Sequence, residues 1–245
     1  MRKVYSSTVT CFLLAFLLLP VLKAGSRVSA DSDIYFFSEN YKAETSAESF
    51  SSLLYDSLQL GELGMQRDAI RYAYKGYQKL IKQGRISNPN ILTVCDFSQS
   101  SDKKRFYIID VRNFKVLLNT YVAHGKNSGL NYATKFSNKN RSHQSSLGFY
   151  VTKNTYTGKH GLSLRLSGQD KGFNDKAEAR AIVVHGATYI GEEWLGSAYM
   201  GRSFRCPAVP KKYANTVINL IKNGTCLFVY HPSKSYLHGS RILKG

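Results

Sequence analysis

Apolar residues recur at two different periods along this chain, and the change of period divides it. From Thr45 to Gln83 the spacing is helical. Phe50, Leu53, Leu54 and Leu58 share one face; beyond Gly61 and Gly64, Ile70, Ala73, Tyr74, Tyr77, Leu80 and Ile81 recur at i, i+3, i+4 and i+7. Thr45-Ser46-Ala47-Glu48 has the form of a capping box, in which hydroxyl and carboxylate satisfy the first free N–H groups of a helix. Lys79 and Lys82 in the last turn and Gly84 beyond it suit a helix end. From Ile91 the apolar runs become short and β-type. Ile91–Phe97, Arg105–Val111 and Val116–Val122 read as strands, the last two joined through Arg112-Asn113 as a hairpin. Further strands are predicted at Leu147–Lys153, Leu162–Ser167, Ala181–Val184 and Cys226–Tyr230, and a helix at Lys211–Lys222 that stops at Asn223-Gly224. The pattern predicts a mainly β body with an N-terminal helical pair and a late helix, α+β overall.

The N-terminal residues follow a different logic. Arg2 and Lys3 precede the twelve-residue apolar run Cys11–Leu22, and Val28-Ser29-Ala30 supplies small residues before Asp31. This is the layout of a secretory signal peptide, too short for a comfortable membrane span. The expected organisation is a signal peptide over 1–30, a polar lead-in over 31–44, a helical segment over 45–84, a β domain over 90–232 and a tail over 233–245. The expected location is outside the cytoplasm, in the periplasm or cell envelope, with no stable membrane span once the signal is removed.

Charge narrows the partners. The chain has 34 basic and 16 acidic residues. Residues 1–30 contain four of the basic residues and no acids, so the expected mature chain keeps a net charge of +14. Such a surface favours anionic partners. The basic residues are scattered and no nucleic-acid motif accompanies them, so nucleic acid is not the expected partner. The six histidines lack metal-ligand spacing with cysteines or acids, which predicts no metal site. Cys95, Cys206 and Cys226 are an odd number for an oxidising compartment, which implies at least one unpaired thiol. Cys95 and Cys226 fit either a disulfide or two buried thiols.

Chemistry concentrates in one stretch, from Val184-His185-Gly186 to Arg205-Cys206-Pro207. His185 is expected at the end of a buried strand, where a rigid scaffold presents reactive groups. Cys206 follows a Gly-rich loop and precedes Pro207. A thiolate is a nucleophile, and a neighbouring imidazole accepts its proton. The surrounding residues sharpen this pairing. Gly201-Arg202-Ser203-Phe204-Arg205-Cys206-Pro207-Ala208 resembles the murein L,D-transpeptidase catalytic-domain family, whose pattern reads Gly-Arg-Ser-Trp-Gly-Cys-Pro-Ala, at six of eight positions. Ala123-His124-Gly125-Lys126-Asn127-Ser128-Gly129, Gln144-Ser145-Ser146-Leu147-Gly148-Phe149-Tyr150 and Gly158-Lys159-His160-Gly161 resemble the same family, in the same order. The resemblance runs from about Tyr74 to Tyr230.

The resemblance implies an L,D-transpeptidase-like β-sandwich or barrel, with Cys206 as nucleophile and His185 as its base. The imidazole would be steered by a backbone carbonyl, that of Gly186, and an oxyanion would be held by N–H groups near Cys206, in a loop that includes Ser203 and Arg205. Arg202, Ser146, His124 and His160 are the expected substrate-binding residues. The expected substrates are peptidoglycan stem peptides: Cys206 attacks a stem tetrapeptide, D-alanine leaves, and the acyl group passes to an amine or to water. No cofactor is implied, and a monomer is expected. Two positions depart from the family. Arg205 replaces a glycine and Phe204 a tryptophan, and a glycine there would supply a positive φ or a slim oxyanion loop. Two other readings therefore stay open: a wall-binding protein disabled by Arg205, and a sortase-like enzyme that uses His124 as base.

Overall fold

The computed structural model describes residues 47–244. The expected signal peptide and lead-in, and Thr45 and Ser46 of the expected cap, lie outside the described residues. Two helices come first, α1 (Ala47–Ser57) and α2 (Arg67–Lys82). Eight strands form one sheet: β1 (Ile91–Asp96), β2 (Phe106–Asp110), β3 (Lys115–Thr120), β4 (Gly148–Gly158), β5 (Gly161–Gly168), β6 (Val183–Ala187), β7 (Ala208–Pro210) and β8 (Cys226–Tyr230). Between β7 and β8 lies α3 (Ala214–Ile221), and α4 (Lys234–Gly239) follows β8. The fold is mainly β with a few helices.

The strand order is β3-β2-β1-β8-β4-β5-β6-β7. β1 with β8 and β6 with β7 are parallel; the other pairs are antiparallel. The two edge strands, β3 and β7, do not remain far apart. The chain leaving β3 bridges Ala123 to Ala208 and Gly125 to Ser203, and the Ala123 N–H donates to Ala208 O at 2.8 Å. The sheet thereby nearly closes into a barrel, and closure gives an otherwise open edge its partners. The reactive segment around Cys206 sits at this seam.

One continuous apolar core joins helices and sheet, from Phe50, Leu54 and Tyr74 through Val94, Phe149 and Phe228 to Tyr236, Ile242 and Leu243. Helix α2 buries Ala73, Tyr74, Tyr77 and Leu80, the stripe that its spacing predicts. It approaches the sheet through Gly76, where an added Cβ would overlap the Phe149 ring, itself stacked on Phe228 with centroids 4.1 Å apart. The expected tail over 233–245 includes α4. Asp170, buried, accepts from the Phe149 N–H at 2.8 Å, from Tyr236 OH at 3.2 Å and from Ser240 Oγ, and so ties α4 and the following residue to β4.

Three elements differ from the sequence pattern. β4 runs to Gly158, past Lys153, because an irregularity in pairing with β5 between Thr152 and Thr155 lets both strands continue to their hairpin. The predicted Ala181–Val184 strand is displaced to Val183–Ala187, so His185 lies mid-strand rather than at a strand end. Pairing with Val209 and Pro210 of β7 extends the strand through Gly186 and Ala187, residues with little β preference of their own. β7 has only three residues and carries no periodic signal.

Cys95 and Cys226 are free, as is Cys206. In the β1–β8 register Cys226 stands opposite Leu92, and Cys95 opposite Val229. Three residues of strand, about 10 Å, separate the two cysteines, and an odd offset puts them on opposite faces. That is beyond the reach of a disulfide.

Candidate active site

His185 and Cys206 arrive from adjacent parallel strands. β6 carries His185 opposite Ala208 of β7, and Cys206 precedes Ala208 by two residues. The His185 ring is buried, and its Nδ1 lies 2.9 Å from Gly186 O. A carbonyl only accepts, so Nδ1 carries the proton and Nε2 keeps its lone pair. Burial first, then the nearby His160 and Lys159, hold His185 below the usual histidine pKa, against the opposing Gly186 bond. At neutral pH this is a neutral imidazole with a free basic nitrogen. His160, at the exposed tip between β4 and β5, stacks on it with ring centroids 4.3 Å apart.

The Cys206 thiol is 9 % exposed. Its Sγ donates to Ala181 O at 3.6 Å, and the Val183 backbone N–H points to it. Among the described residues no hydrogen bond joins it directly to His185. Burial raises its pKa; the Val183 bond and the charges of Arg205, Arg180 and Lys159 oppose that rise without cancelling it. The resting thiol is thus protonated near neutrality and needs a base to become a nucleophile. Ala181, whose carbonyl faces the sulfur, has φ +49°, a left-handed conformation that non-glycine residues seldom adopt and that clusters at functional sites.

Ser203 shapes the loop before the thiol. Its hydroxyl lies 2.7 Å from Cys206 O and its N–H donates to His124 O at 2.9 Å, while its own carbonyl accepts from the Lys126 N–H. Arg205 does not have a positive φ, so the backbone here makes no demand for the family's glycine. Its Nε is buried and unpartnered. Phe204 is 57 % exposed, with the Lys126 ammonium 4.7 Å above its ring and His143 5.2 Å away.

The remaining sequence candidates fall into different places. Arg202 donates to Lys126 O at 2.9 Å and Gly129 O at 3.1 Å, and its guanidinium lies over the Tyr199 ring. It staples the loop after His124. That loop turns at Gly129, φ +153°, where a Cβ would collide with Tyr132 O. His124 is fully buried rather than on the cleft surface. Its Nδ1 lies 2.8 Å from Arg105 Nη2 and its Nε2 3.3 Å from Gly129 O. An arginine only donates, so Nδ1 accepts and Nε2 donates. Burial and the Arg105 charge lower its pKa to about 3. Ser146 is buried too, donating to Ser137 O at 2.8 Å and accepting from Arg180.

A profile of the L,D-transpeptidase catalytic domain matches residues 62–230. The chain belongs to the L,D-transpeptidase catalytic-domain family. No curated protein matches it. Among solved structures it is similar to an L,D-transpeptidase from Mycobacterium smegmatis, at 15% identity over 58% of this chain and 59% of that one, TM-score 0.35. It is also similar to the helical cell shape determining protein Pgp2 of Campylobacter jejuni, at 12% identity over 65% of this chain and 57% of that one, TM-score 0.39. A third, an L,D-transpeptidase from Stackebrandtia nassauensis, shows 14% identity over 66% of this chain and 68% of that one, TM-score 0.33. The match thus spans less than two thirds of the first two chains.

Within this family's domain, three residues carry no motif in the sequence yet bear on the thiol, Ala181 by contact and Arg180 and Tyr189 through charge. Arg180 and Ala181 sit at the head of an apolar run and read there as a strand boundary. Tyr189 has its pKa pushed up to about 12, by burial and then by the charge of Cys206. Among the described residues no three His, Cys, Asp or Glu side chains group as metal ligands, and no helix is long and apolar enough to cross a membrane.

Proposed function

We propose that the protein is an exported peptidoglycan L,D-transpeptidase with Cys206 as nucleophile and His185 as general base. The observation that carries the reading is the 2.9 Å contact of His185 Nδ1 with Gly186 O, which leaves Nε2 as a base beside the strand that follows Cys206. The Sγ proton passes to His185 Nε2, and sulfur attacks the carbonyl after meso-diaminopimelate in a stem tetrapeptide. The C–N bond to the terminal D-alanine breaks, and its nitrogen takes the proton from the imidazolium. Attack by an amine of a second stem, or by water, then releases the acyl group. Backbone N–H groups around Cys206 would hold the oxyanion. His160 on His185 and the Lys159 ammonium would border the donor stem, and the mature charge of +14 suits an anionic wall polymer.

Two observations favour this over the alternatives. His124, the base of a sortase-like reading, has both nitrogens engaged in the interior. Arg205 needs no left-handed backbone, which removes the conformational argument for a disabled site. Incubation with disaccharide-tetrapeptide and mass spectrometry should show free D-alanine with dimer or tripeptide products. Cys206→Ala and His185→Ala should abolish them. Turnover that survives His185→Ala but not His124→Ala would favour the sortase-like reading; no turnover by the wild type would favour the wall-binding one.

A further inference from the structure

Arg180 is 2 % exposed and has no carboxylate partner among the described residues. Its two terminal nitrogens are fully committed. Nη1 donates to Ser137 O at 2.6 Å and to Ser146 Oγ; Nη2 donates to Ser142 Oγ at 3.1 Å and Gln144 O at 2.8 Å. The acceptors come from the segment that lies against the Gly125 loop, where the Ser145 N–H donates to Ser128 Oγ and Ser145 Oγ accepts from the Gly125 N–H. This clamp uses four of the five guanidinium donors. The fifth, Nε–H, is buried and has no partner. An unpartnered buried N–H on a cation is costly, and natural proteins leave few of them.

The next residue, Ala181, is the strained one whose carbonyl touches Cys206 Sγ at 3.6 Å. The side chains whose charges bear on the thiol are Arg205, Arg180 and Lys159, all cationic, and Tyr189 lies within reach of its charge. Arg180 is thus a buried cation with a spare donor and no carboxylate partner among the described residues, one residue along the chain from the carbonyl that contacts the thiol. We infer that Arg180 is a further residue of the reaction centre: a fixed guanidinium that holds the negative charge left on Cys206 Sγ when its proton moves to His185. The surrounding serines and carbonyls keep that charge in place but do not neutralise it. The ordering of the Ser137–Ser146 segment by the same guanidinium would couple the segment's position to the nucleophile.

The inference deepens the assignment of Cys206 as nucleophile, and it is tested without any wall substrate. The measurement is the second-order rate of iodoacetamide alkylation at Cys206 against pH, read from the mass of the Cys206 peptide, so that buried Cys95 and Cys226 do not interfere. Arg180→Gln should lower the rate at pH 8 by about tenfold, the effect of about one pKa unit, with the upper limb of the profile displaced to higher pH. Arg180→Lys keeps the charge but loses the fork; it should stay within about threefold of wild type while its melting temperature falls. An Arg180→Gln protein that folds and alkylates like wild type overturns the inference. Should Arg180→Gln fail to fold, Arg180→Lys decides: a folded variant within about threefold supports the role of the charge, and one slowed about tenfold overturns it. If wild-type protein turns over no stem peptide yet the profile shifts as described, the transpeptidase reading fails and the electrostatic one stands.

Discussion

Arg205 is the residue at which the chain departs most sharply from its family, and its environment gives the departure a direction. Its φ lies outside the left-handed region, so arginine costs no backbone strain there. Its charge is the first among the side chains that favour a thiolate at Cys206. Arg205→Gly should therefore leave the melting temperature within a few degrees of wild type and slow alkylation of Cys206 by about three- to tenfold. Faster alkylation would mean that arginine obstructs the thiol. His124 carries a second prediction. Its pKa is about 3 in the folded chain and near 6.5 in an unfolded one. Below pH 6.5 the unfolded state binds the proton first, so this contribution to stability is intact above 6.5 and is lost progressively as pH falls towards 3. In His124→Asn, whose amide oxygen still accepts from Arg105, urea unfolding free energies should decline less steeply between pH 6.5 and 4. An unchanged slope would show that the imidazole does not titrate between the two states. At this scale the sequence was legible where chemistry is local. The His185–Gly186 contact joins neighbours along the chain, so a motif contains it. Arg180 was not legible, because its acceptors lie 34 to 43 residues away and only the fold gathers them.

Elements formed where periodicity was strong and moved where pairing had to decide. Helix α2 spans Arg67–Lys82 with the apolar stripe its spacing requires. β6 starts two residues and ends three residues later than its pattern predicts because pairing with β5 and β7 fixes its place, and β7 exists only as a partner for His185 to Ala187 and for the chain after β3. A three-residue strand has no period to detect. Residues 233–245 read as a tail because six helical residues carry little pattern, yet Asp170 anchors them through Tyr236 and Ser240. Packing also overrides propensity within a good helix. Alanine is favoured over glycine in mid-helix by about 1 kcal/mol, but at Gly76 the Phe149 ring occupies the space of the methyl. Gly76→Ala should destabilise the protein by about 1–3 kcal/mol, measured by urea denaturation; a stabilised variant would show that α2 moves away from the sheet at no cost.

For the whole molecule, the near-closure of the barrel is what creates the site. The seam between the chain after β3 and β7 brings together the His124–Gly129 loop, the Ser203 turn and Cys206, while β6 presents His185 from the other side. Residues nearly 80 positions apart meet there, and the surrounding side-chain charges are cationic. The proposed function adds that this basic chain meets an anionic polymer at the buried thiol. The most direct test of that account is the intact mass of the purified protein after brief exposure to a disaccharide-tetrapeptide. The predicted result is an adduct equal to the donor less its terminal D-alanine, located on Cys206, with free D-alanine in solution and neither product from Cys206→Ala. A wild-type protein that gains no mass and releases no D-alanine, or an adduct that persists in Cys206→Ala, would contradict it.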